Sequence, residues 1–459
     1  MVKSNQILND ILDAREKRAS LRSKFVNKEL CTLSLSLNIA GYPKSNPLFL
    51  SFFIDILSEL KPFLQANRIE VEGENELTIT DEAGDFFIVP FLGSLNDVAK
   101  LKKLTETFET THSLGRLIDI DIFDEKGIPI SSGKKKRCYF CGQYSAVSCM
   151  RNKRHSYKEI RTKLNDEISK YLKNKHKELV INTLTSCAAK AILYEISVSP
   201  KPGLVSYENS GAHTDMNFFT FLNSSASLTP FFKEFCLLGY QYSGKYEAVL
   251  GHIRQIGLRA EKAMFKATDD INTHKGIIFI FGIALFSIAK LVSEKEGYND
   301  DGFRLITKKI CKGIVANELL STQKKAVTHG EKVYEKYSTI GAGVRKEVED
   351  GFPSIFQKAL TLFDTSLNIS SFNNQNEIQQ ILQTALLHIM SVNNDSNILY
   401  RSNLDTLKQF QKLAKEAINN NNAYHKLCEF CAENKISPGG SADLLSVSLL
   451  LYFVKTEQL

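Results

Sequence analysis

The sequence predicts an α+β first half joined through a charged helical connector to a mainly α-helical second half. Three observations lead there. Residues 30–39 (LCTLSLSLNI), 77–91 (LTITDEAGDFFIVPF) and 115–123 (GRLIDIDIF) alternate, or concentrate β-branched and aromatic residues, as strands do. From about residue 156 the texture turns helical, as in YKEIRTKLNDEISKYLKN and VINTLTSCAAKAILYEIS. At the change of texture, residues 151–180 carry 10 Lys/Arg against 4 Asp/Glu.

Taken in order, residues 1–133 mix helix and strand signals. The strand at 30–39 runs into Gly41 and Pro43, 77–91 reads as a hairpin, and DEKG at 124–127 reads as a turn after the third strand. The second half is punctuated by SPKPG and SPGG loops, and its Asn-rich pieces at 371–376 and 419–422 are expected to be exposed loops. Length alone allows about three domains, but the texture divides the chain into two, 1–175 and 176–459. With 43% hydrophobic residues each part can bury a core.

The opening MVKSNQILNDILDAREKR is charged almost from its start, unlike a secretory signal. The longest apolar run, GIIFIFGIALFSIA at 276–289, is shorter than the ~20 residues of a membrane span and is expected to be a buried helix. Nine cysteines in that setting suggest free thiols in a reducing compartment. The expectation is a cytoplasmic protein with no membrane partner. The basic zone at 134–177, beginning at Lys134, Lys135, Lys136 and Arg137, reads either as a solvated face or as a surface for phosphates, an acidic protein or nucleic acid.

Asp119 and Asp121 lie two apart in a strand, so both carboxylates fall on one face, about 7 Å apart along the chain. Such a pair suits Mg²⁺, which takes one or two carboxylates plus substrate phosphates, and equally suits a wet polar face. Cys138, Cys141, Cys149 and His155 give C-x2-C-x7-C-x5-H. That is a possible tetrahedral Cys₃His zinc site, although the short x7 spacer tilts the reading towards packed thiols. Cys428 and Cys431 read as core. In the second half, residues 199–219 gather Lys201, Glu208, Asn209, His213 and Asp215 around two glycines and two prolines. Residues 267–279 bring Asn272, Thr273, His274 and Lys275 to the start of the apolar helix, where phosphate is favoured.

AREKRASLR (14–22), LSLNIAG (35–41), THSLGRLIDIDIF (111–123) and RCYFCGQYSAVSCMRNKRH (137–155) together resemble the apo-citrate lyase phosphoribosyl-dephospho-CoA transferase family, also called holo-acyl-carrier-protein synthase of citrate lyase. The resemblance covers most of 5–165. It implies a nucleotidyltransferase-like domain that attaches a prosthetic group to a serine of the citrate lyase acyl carrier protein (the gamma subunit) and releases pyrophosphate. Asp119 and Asp121 would then hold Mg²⁺ against the donor's triphosphate. Gly115 and Arg116 would approach its phosphates, and Arg15 and Arg18 would meet the remaining charge.

PKPGLVSYENSGAHTDM, INTHKG, GVRKEVEDGFP (343–353), NNDSNILYR (393–401) and SPGGSADLL (437–445) resemble the triphosphoribosyl-dephospho-CoA synthase family over about 181–455. That resemblance implies that ATP is joined to 3′-dephospho-CoA with loss of adenine. It assigns Lys201, Lys275 and Arg345 to phosphate, Asp215, Glu347 and Asp395 to metal (Mg²⁺) or base, and His213 or His274 to acid or base. Asn209, Asn272 and Arg401 would complete the substrate cradle. Lys346 replaces the usual glycine after Arg345, and Ser402 and Asn403 replace two after Arg401. The whole is expected to be a bifunctional enzyme that makes and then attaches the citrate lyase prosthetic group, acting on small molecules and a carrier protein and not on nucleic acid. The alternatives are a nucleic-acid nucleotidyltransferase using Asp119 and Asp121, and a non-catalytic carrier-binding protein.

Overall fold

The computed structural model describes every residue except 1, 27–29, 72, 93–94, 132, 134–136, 296, 320–328 and 369–370. Lys134, Lys135 and Lys136 of the basic zone therefore lie outside the described residues. The chain forms two compact units, Met1–His176 and Lys177–Leu459.

In the first unit, helix α1 (Val2–Val26) precedes strand β1 (Cys31–Leu37) and helix α2 (Pro47–Ala66). Strands β2 (Leu77–Asp81) and β3 (Gly84–Phe91), helix α3 (Leu95–Thr111) and strand β4 (Ile118–Phe123) follow, then helices α4 (Ala146–Arg151) and α5 (Tyr157–Ser197). The strands make one antiparallel sheet in the order β2-β3-β1-β4. The expected hairpin is present at 77–91, while residues 115–117 of the expected third strand form a 3₁₀ turn that delivers the chain to β4.

Alternation sorts the sheet into two faces. Leu33, Leu35, Val89, Ile118 and Ile120 are fully buried on one of them. They share a core with Phe49, Phe52, Phe53 and Ile56 of α2, Val98 and Leu101 of α3, and Leu164 and Ile168 of α5. Each such side chain stabilises the unit by about 1.5–3 kcal/mol. Helix α2 starts sharply, because the Asn46 side chain accepts from Phe49 N–H and Pro47 needs no partner at the first turn.

The opposite face carries Ser34, Ser36, Asp119 and Asp121, with Ser36 across from Asp119 and Ser34 across from Asp121. Helix α1 lies against this face. Arg18 sits 4.6 Å over the Phe86 ring and Arg22 3.5 Å over that of Phe123.

The charged connector expected near 156–180 is only the first part of α5, which continues to Ser197. The division between units falls inside this helix. Its residues after Val180 join the core of the second unit, which is built from helices alone among the described residues. At its centre stands the helix Lys275–Lys295, packed by Phe218–Gln241, Val249–Ala267, Asp300–Cys311 and Gly439–Thr456. Gly239 permits the close approach of Phe218–Gln241, since a Cβ there would lie 2.4 Å from Phe286 O. The central helix is longer than the 14-residue apolar run suggested, and long and apolar enough to cross a membrane, but 78% of its apolar window is buried inside the unit. Residues 419–422 are exposed as expected, and so are 373–376, but Ser371 is buried and Phe372 half-buried, and Asn374 and Asn420 cap helices rather than fill loops.

Candidate active sites

In the first unit the paired carboxylates stand on the edge strand. Asp119 is half-buried and Asp121 exposed. Arg22 of α1 faces Asp121, and burial lowers its pKa while that carboxylate raises it. Sequence reasoning missed Arg22, although its spacing from Arg15 and Arg18 puts all three on one helical face.

Arg18 has a role within the fold. Its guanidinium donates to both Asp81 oxygens, at 2.6 and 3.0 Å, and to Gly84 O at 2.6 Å, which clamps α1 to the β2–β3 hairpin. A phosphate contact from Arg18 would have to break that clamp. Arg15 is exposed and, with Arg161, depresses the pKa of Lys44, whose burial is the larger cause. Lys44 and Arg161 are held over the loop after β1 by Ile39 O, Ala40 O and Pro43 O. This cationic group stands where β1 ends beside Asp119. Gly115 meets a packing need, because a Cβ there would lie 1.5 Å from Glu109 O. Arg116 donates to Arg137 O, and its Nε is buried without a partner.

Cys138, Cys141, Cys149 and His155 converge, with one ligand atom from each lying within 4.8 Å of the others. Backbone N–H groups of Tyr144 and Gln143 aim at the Cys141 thiol and lower it to about 6, whereas burial pushes Cys149 up to about 11. In contrast, Cys431 is buried and Cys428 half-buried on the helix Asn421–Glu433, as expected of packing thiols.

The second unit holds a cavity of about 1070 Å³ at the start of its central helix. Lys201, His213, Asp215, Asn272, His274, Lys275, Arg345, Asp395 and Arg401, all expected at the site, line it. Asn209 and Glu347 do not. Asn209 accepts Gly211 N–H in a local turn. The Glu347 carboxylate takes the Ser354 hydroxyl and borders a separate hollow of about 70 Å³.

The two histidines differ. His213 Nε2 lies 2.9 Å from Ser437 Oγ, and its Nδ1 lies 3.7 Å from Asp215, whose side chain is 60% exposed. Burial and then Arg401 lower the His213 pKa, and Asp215 raises it. His274 is buried, with Nδ1 2.7 Å from Ser224 Oγ and Nε2 unpartnered. Burial, then Lys201, lowers it to about 3, so it is neutral at ordinary pH and a poor proton donor.

Cations and carboxylates are arranged in depth. Lys201 Nζ is buried 2.7 Å from Glu195 Oε1, Lys275 reaches Glu261 at 3.0 Å, and Arg345 donates to Glu318 at 2.8 Å. Asp395 caps the helix Ser396–Arg401 through Asn397 N–H and takes the Ser441 N–H and hydroxyl, yet burial raises it to about 6. Asp443, which sequence reasoning did not single out, lines the cavity against Gly276, where a Cβ would lie 1.9 Å from its Oδ2. Burial, then Glu195 and Asp395, raise it well above the carboxylate range. The position was within reach, since Asp443 belongs to the quoted SPGGSADLL stretch. The glycine replacements are harmless locally. Lys346 lies in the helix Val344–Glu349 and pairs with Asp350, Ser402 donates to Ile398 O, and Asn403 caps the helix Leu404–Ala417.

Comparison with known proteins assigns both units. Residues 181–458 match the family described as ATP:dephospho-CoA triphosphoribosyl transferase (CitG), and residues 6–171 match apo-citrate lyase phosphoribosyl-dephospho-CoA transferase (CitX). "Protein CitXG" of Haemophilus influenzae is 31% identical over 96% of this chain and 95% of its own length. A second "Protein CitXG", from Leuconostoc mesenteroides subsp. cremoris, is 29% identical over 97% and 96%. The "Probable 2-(5''-triphosphoribosyl)-3'-dephosphocoenzyme-A synthase" of Streptococcus mutans is 36% identical over 60% of this chain and 97% of its own.

The chain is thus a transferase with two activities carried on one polypeptide. It belongs to the ATP:dephospho-CoA triphosphoribosyl transferase family, fused to an apo-citrate lyase phosphoribosyl-dephospho-CoA transferase, and is a bifunctional enzyme of citrate lyase prosthetic-group assembly.

Proposed function

We propose that the unit Lys177–Leu459 joins ATP to 3′-dephospho-CoA with loss of adenine. The nucleotidyltransferase-like unit Met1–His176 then passes the product to a serine of the citrate lyase acyl carrier protein with loss of pyrophosphate. The observation that carries this reading is the cavity of the second unit. Its volume of about 1070 Å³ is at the top of the usual range of about 300–1,000 Å³, as two nucleotide substrates require. Its walls combine cations for a triphosphate with buried carboxylates and a solvent-linked histidine.

In the first reaction the acceptor's 2′-hydroxyl oxygen bonds to the ribose anomeric carbon of ATP as the bond from that carbon to adenine breaks. The hydroxyl proton goes to His213, which Asp215 and Ser437 orient. Adenine leaves with a proton from Asp443, whose buried surroundings favour the protonated form. Lys275, Arg345 and Arg401 face the triphosphate. His274 stays neutral and offers its bare Nε2 to a substrate group. In the second reaction the serine oxygen of the carrier bonds to the phosphorus next to the ribose as the bond from that phosphorus to pyrophosphate breaks, and the serine proton passes to solvent. Asp119 and Asp121, with the Ser34 and Ser36 hydroxyls across from them, are a hard-oxygen donor set that suits Mg²⁺. Such an ion neutralises charge on a leaving pyrophosphate. Arg15, Lys44, Arg161 and Arg22 supply the positive surroundings, and the exposed carboxylate strand leaves room for a carrier protein of acidic character. These roles belong to the cytoplasm, where ATP and dephospho-CoA are found.

The test uses the whole chain with ATP, dephospho-CoA, Mg²⁺ and apo-carrier protein. The native protein is expected to release adenine and modify the carrier. Asp119→Asn and Asp121→Asn are expected to keep adenine release and to lose carrier modification by on the order of 10³-fold. Normal carrier modification by both variants, or no adenine release by the native chain, overturns the assignment.

A further inference from the structure

The cysteine and histidine cluster of the first unit has no part in either reaction. We propose that Cys138, Cys141, Cys149 and His155 bind one zinc ion, a structural site that fixes the turn holding Arg116.

The geometry is that of a metal site rather than of packed thiols. Four ligand atoms from four residues lie within 4.8 Å of one another. The Cys141 and Cys149 sulfurs are 3.7 Å apart, and tetrahedral zinc with bonds of about 2.3 Å sets its sulfurs about 3.8 Å apart. The backbone between the first two cysteines is already folded for a metal. Gly142 N–H donates to Cys138 O at 2.9 Å, with Gly142 at φ 64°, so the chain doubles back after Cys141. The N–H groups of Gln143 and Tyr144 then aim at the Cys141 sulfur, as they would to support a thiolate. The third cysteine comes from α4, which the Ser145 side chain caps, and Arg154 N–H closes back onto Cys149 O at 3.0 Å to bring in His155.

His155 supplies the independent observation. Its Nε2 is buried and has no hydrogen-bond partner. Phe140, 4.7 Å away ring to ring, packs beside the imidazole. A ring nitrogen of His155 lies within 4.8 Å of the three sulfurs, and a buried imidazole nitrogen without a partner is costly. The short x7 spacer that argued for packed thiols is accommodated because residues 142–145 bend back and Ala146–Ser148 already lie in α4.

The same segment is tied to its surroundings by two main-chain carbonyls and one side chain. Arg137 O accepts from Arg116, Phe140 O accepts from Lys163 at 3.1 Å, and Tyr139 donates to Glu167. Zinc would therefore hold Arg116 in place one turn before β4. The consequence for carrier modification rests on the function proposed above, whereas the metal site itself does not.

The experiment measures metal first. The full chain, purified under reducing conditions without added zinc, is expected to contain about one zinc per chain. After stripping with a chelator, it should take up one Co²⁺ and show the absorption of tetrahedral thiolate-bound cobalt. Cys149→Ser and His155→Ala should each lower metal content or alter that spectrum, whereas Cys428→Ser should do neither. Stripped protein should lose carrier modification and keep adenine release. The stripped native chain needs no substitution, so its cobalt spectrum decides even if the variants fail to fold. Failure of reduced native protein to bind zinc or cobalt overturns the site, as does a Cys141–Cys149 disulfide in the freshly purified protein. A correct cobalt spectrum with unchanged carrier modification would overturn only the link to Arg116.

Discussion

Replacing Lys201 by methionine separates what this lysine does for the fold from what it does for a substrate. Its Nζ lies 2.7 Å from Glu195 Oε1, with the two side chains only 2% and 6% exposed. At that distance their attraction is roughly 6 kcal/mol for an effective dielectric near 20, and most of it offsets the removal of both charges from water. Lys201→Met leaves the Glu195 carboxylate buried beside Asp443 without a counter-charge, so about 3–5 kcal/mol of stability should be lost. At about 2–4 °C per kcal/mol the melting transition should fall by roughly 6–20 °C. Glu195→Leu should do comparable harm. The double variant Lys201→Met/Glu195→Leu buries no charge and should recover to within about 1 kcal/mol of the native chain. Thermal unfolding of the whole protein followed by circular dichroism measures all three. Single variants that each lose less than about 1 kcal/mol, or a double variant as unstable as the sum, would refute the reasoning. Adenine release then addresses the substrate: a stable double variant that still uses ATP normally removes Lys201 from the phosphate contacts.

Gly276→Ala would bring a Cβ to 1.9 Å from Asp443 Oδ2 and should abolish most adenine release, while the same change at Gly257, where the nearest atom is 3.5 Å away, should be tolerated or mildly stabilising. An adenine assay on the two variants checks both, and normal release by Gly276→Ala would free Asp443 of its role. His274, held near 3 by burial, is neutral in the folded chain but takes a proton when unfolded near its ordinary 6.5. Stability of its unit should therefore fall as pH drops from about 6.5 towards 3, by up to about 1.4 kcal/mol per pH unit. Asp395, raised to about 6, acts oppositely, since its folded form takes the proton first and stability rises on acidification between about 6 and 4. His274→Asn should leave the second effect unopposed, which urea midpoints between pH 5 and pH 7 will show as a gain of stability towards acid relative to the native chain.

The strands and the loops of the two sites were legible in the sequence because their signals are local. A period of two marked Cys31–Leu37 and Ile118–Phe123, and a cluster of His, Lys, Asn and Asp between glycines and prolines marked 199–219. What escaped depends on distant pairing. The order β2-β3-β1-β4 follows from no local pattern, and neither does the lodging of Arg18 against Asp81, 63 residues away. His213 meets Ser437 across 224 residues. Glu195 and Asp443 sit inside helical runs, where a single acidic residue reads as an exposed face until the fold buries it. Glu347, which the resemblance of GVRKEVEDGFP assigned to the site, instead borders the small hollow beside the cavity.

The carboxylates of the first unit stand on the edge strand of its sheet, and such a strand is ordinarily an invitation for any passing chain to pair with it. Here several of the backbone groups are already taken. Ile118 N–H donates to Gly115 O, Ile120 N–H to Glu109, Lys102 to Ile120 O, and Ile130 N–H to Ile122 O. Main-chain pairing at this border is thus restricted, while Asp121 stays exposed and Asp119 half-buried. On the function proposed above, a carrier protein would present its serine to this face with little opportunity to anneal to the sheet, and would depart once modified. Release, and resistance to accretion of partly unfolded chains, are built into the same few hydrogen bonds.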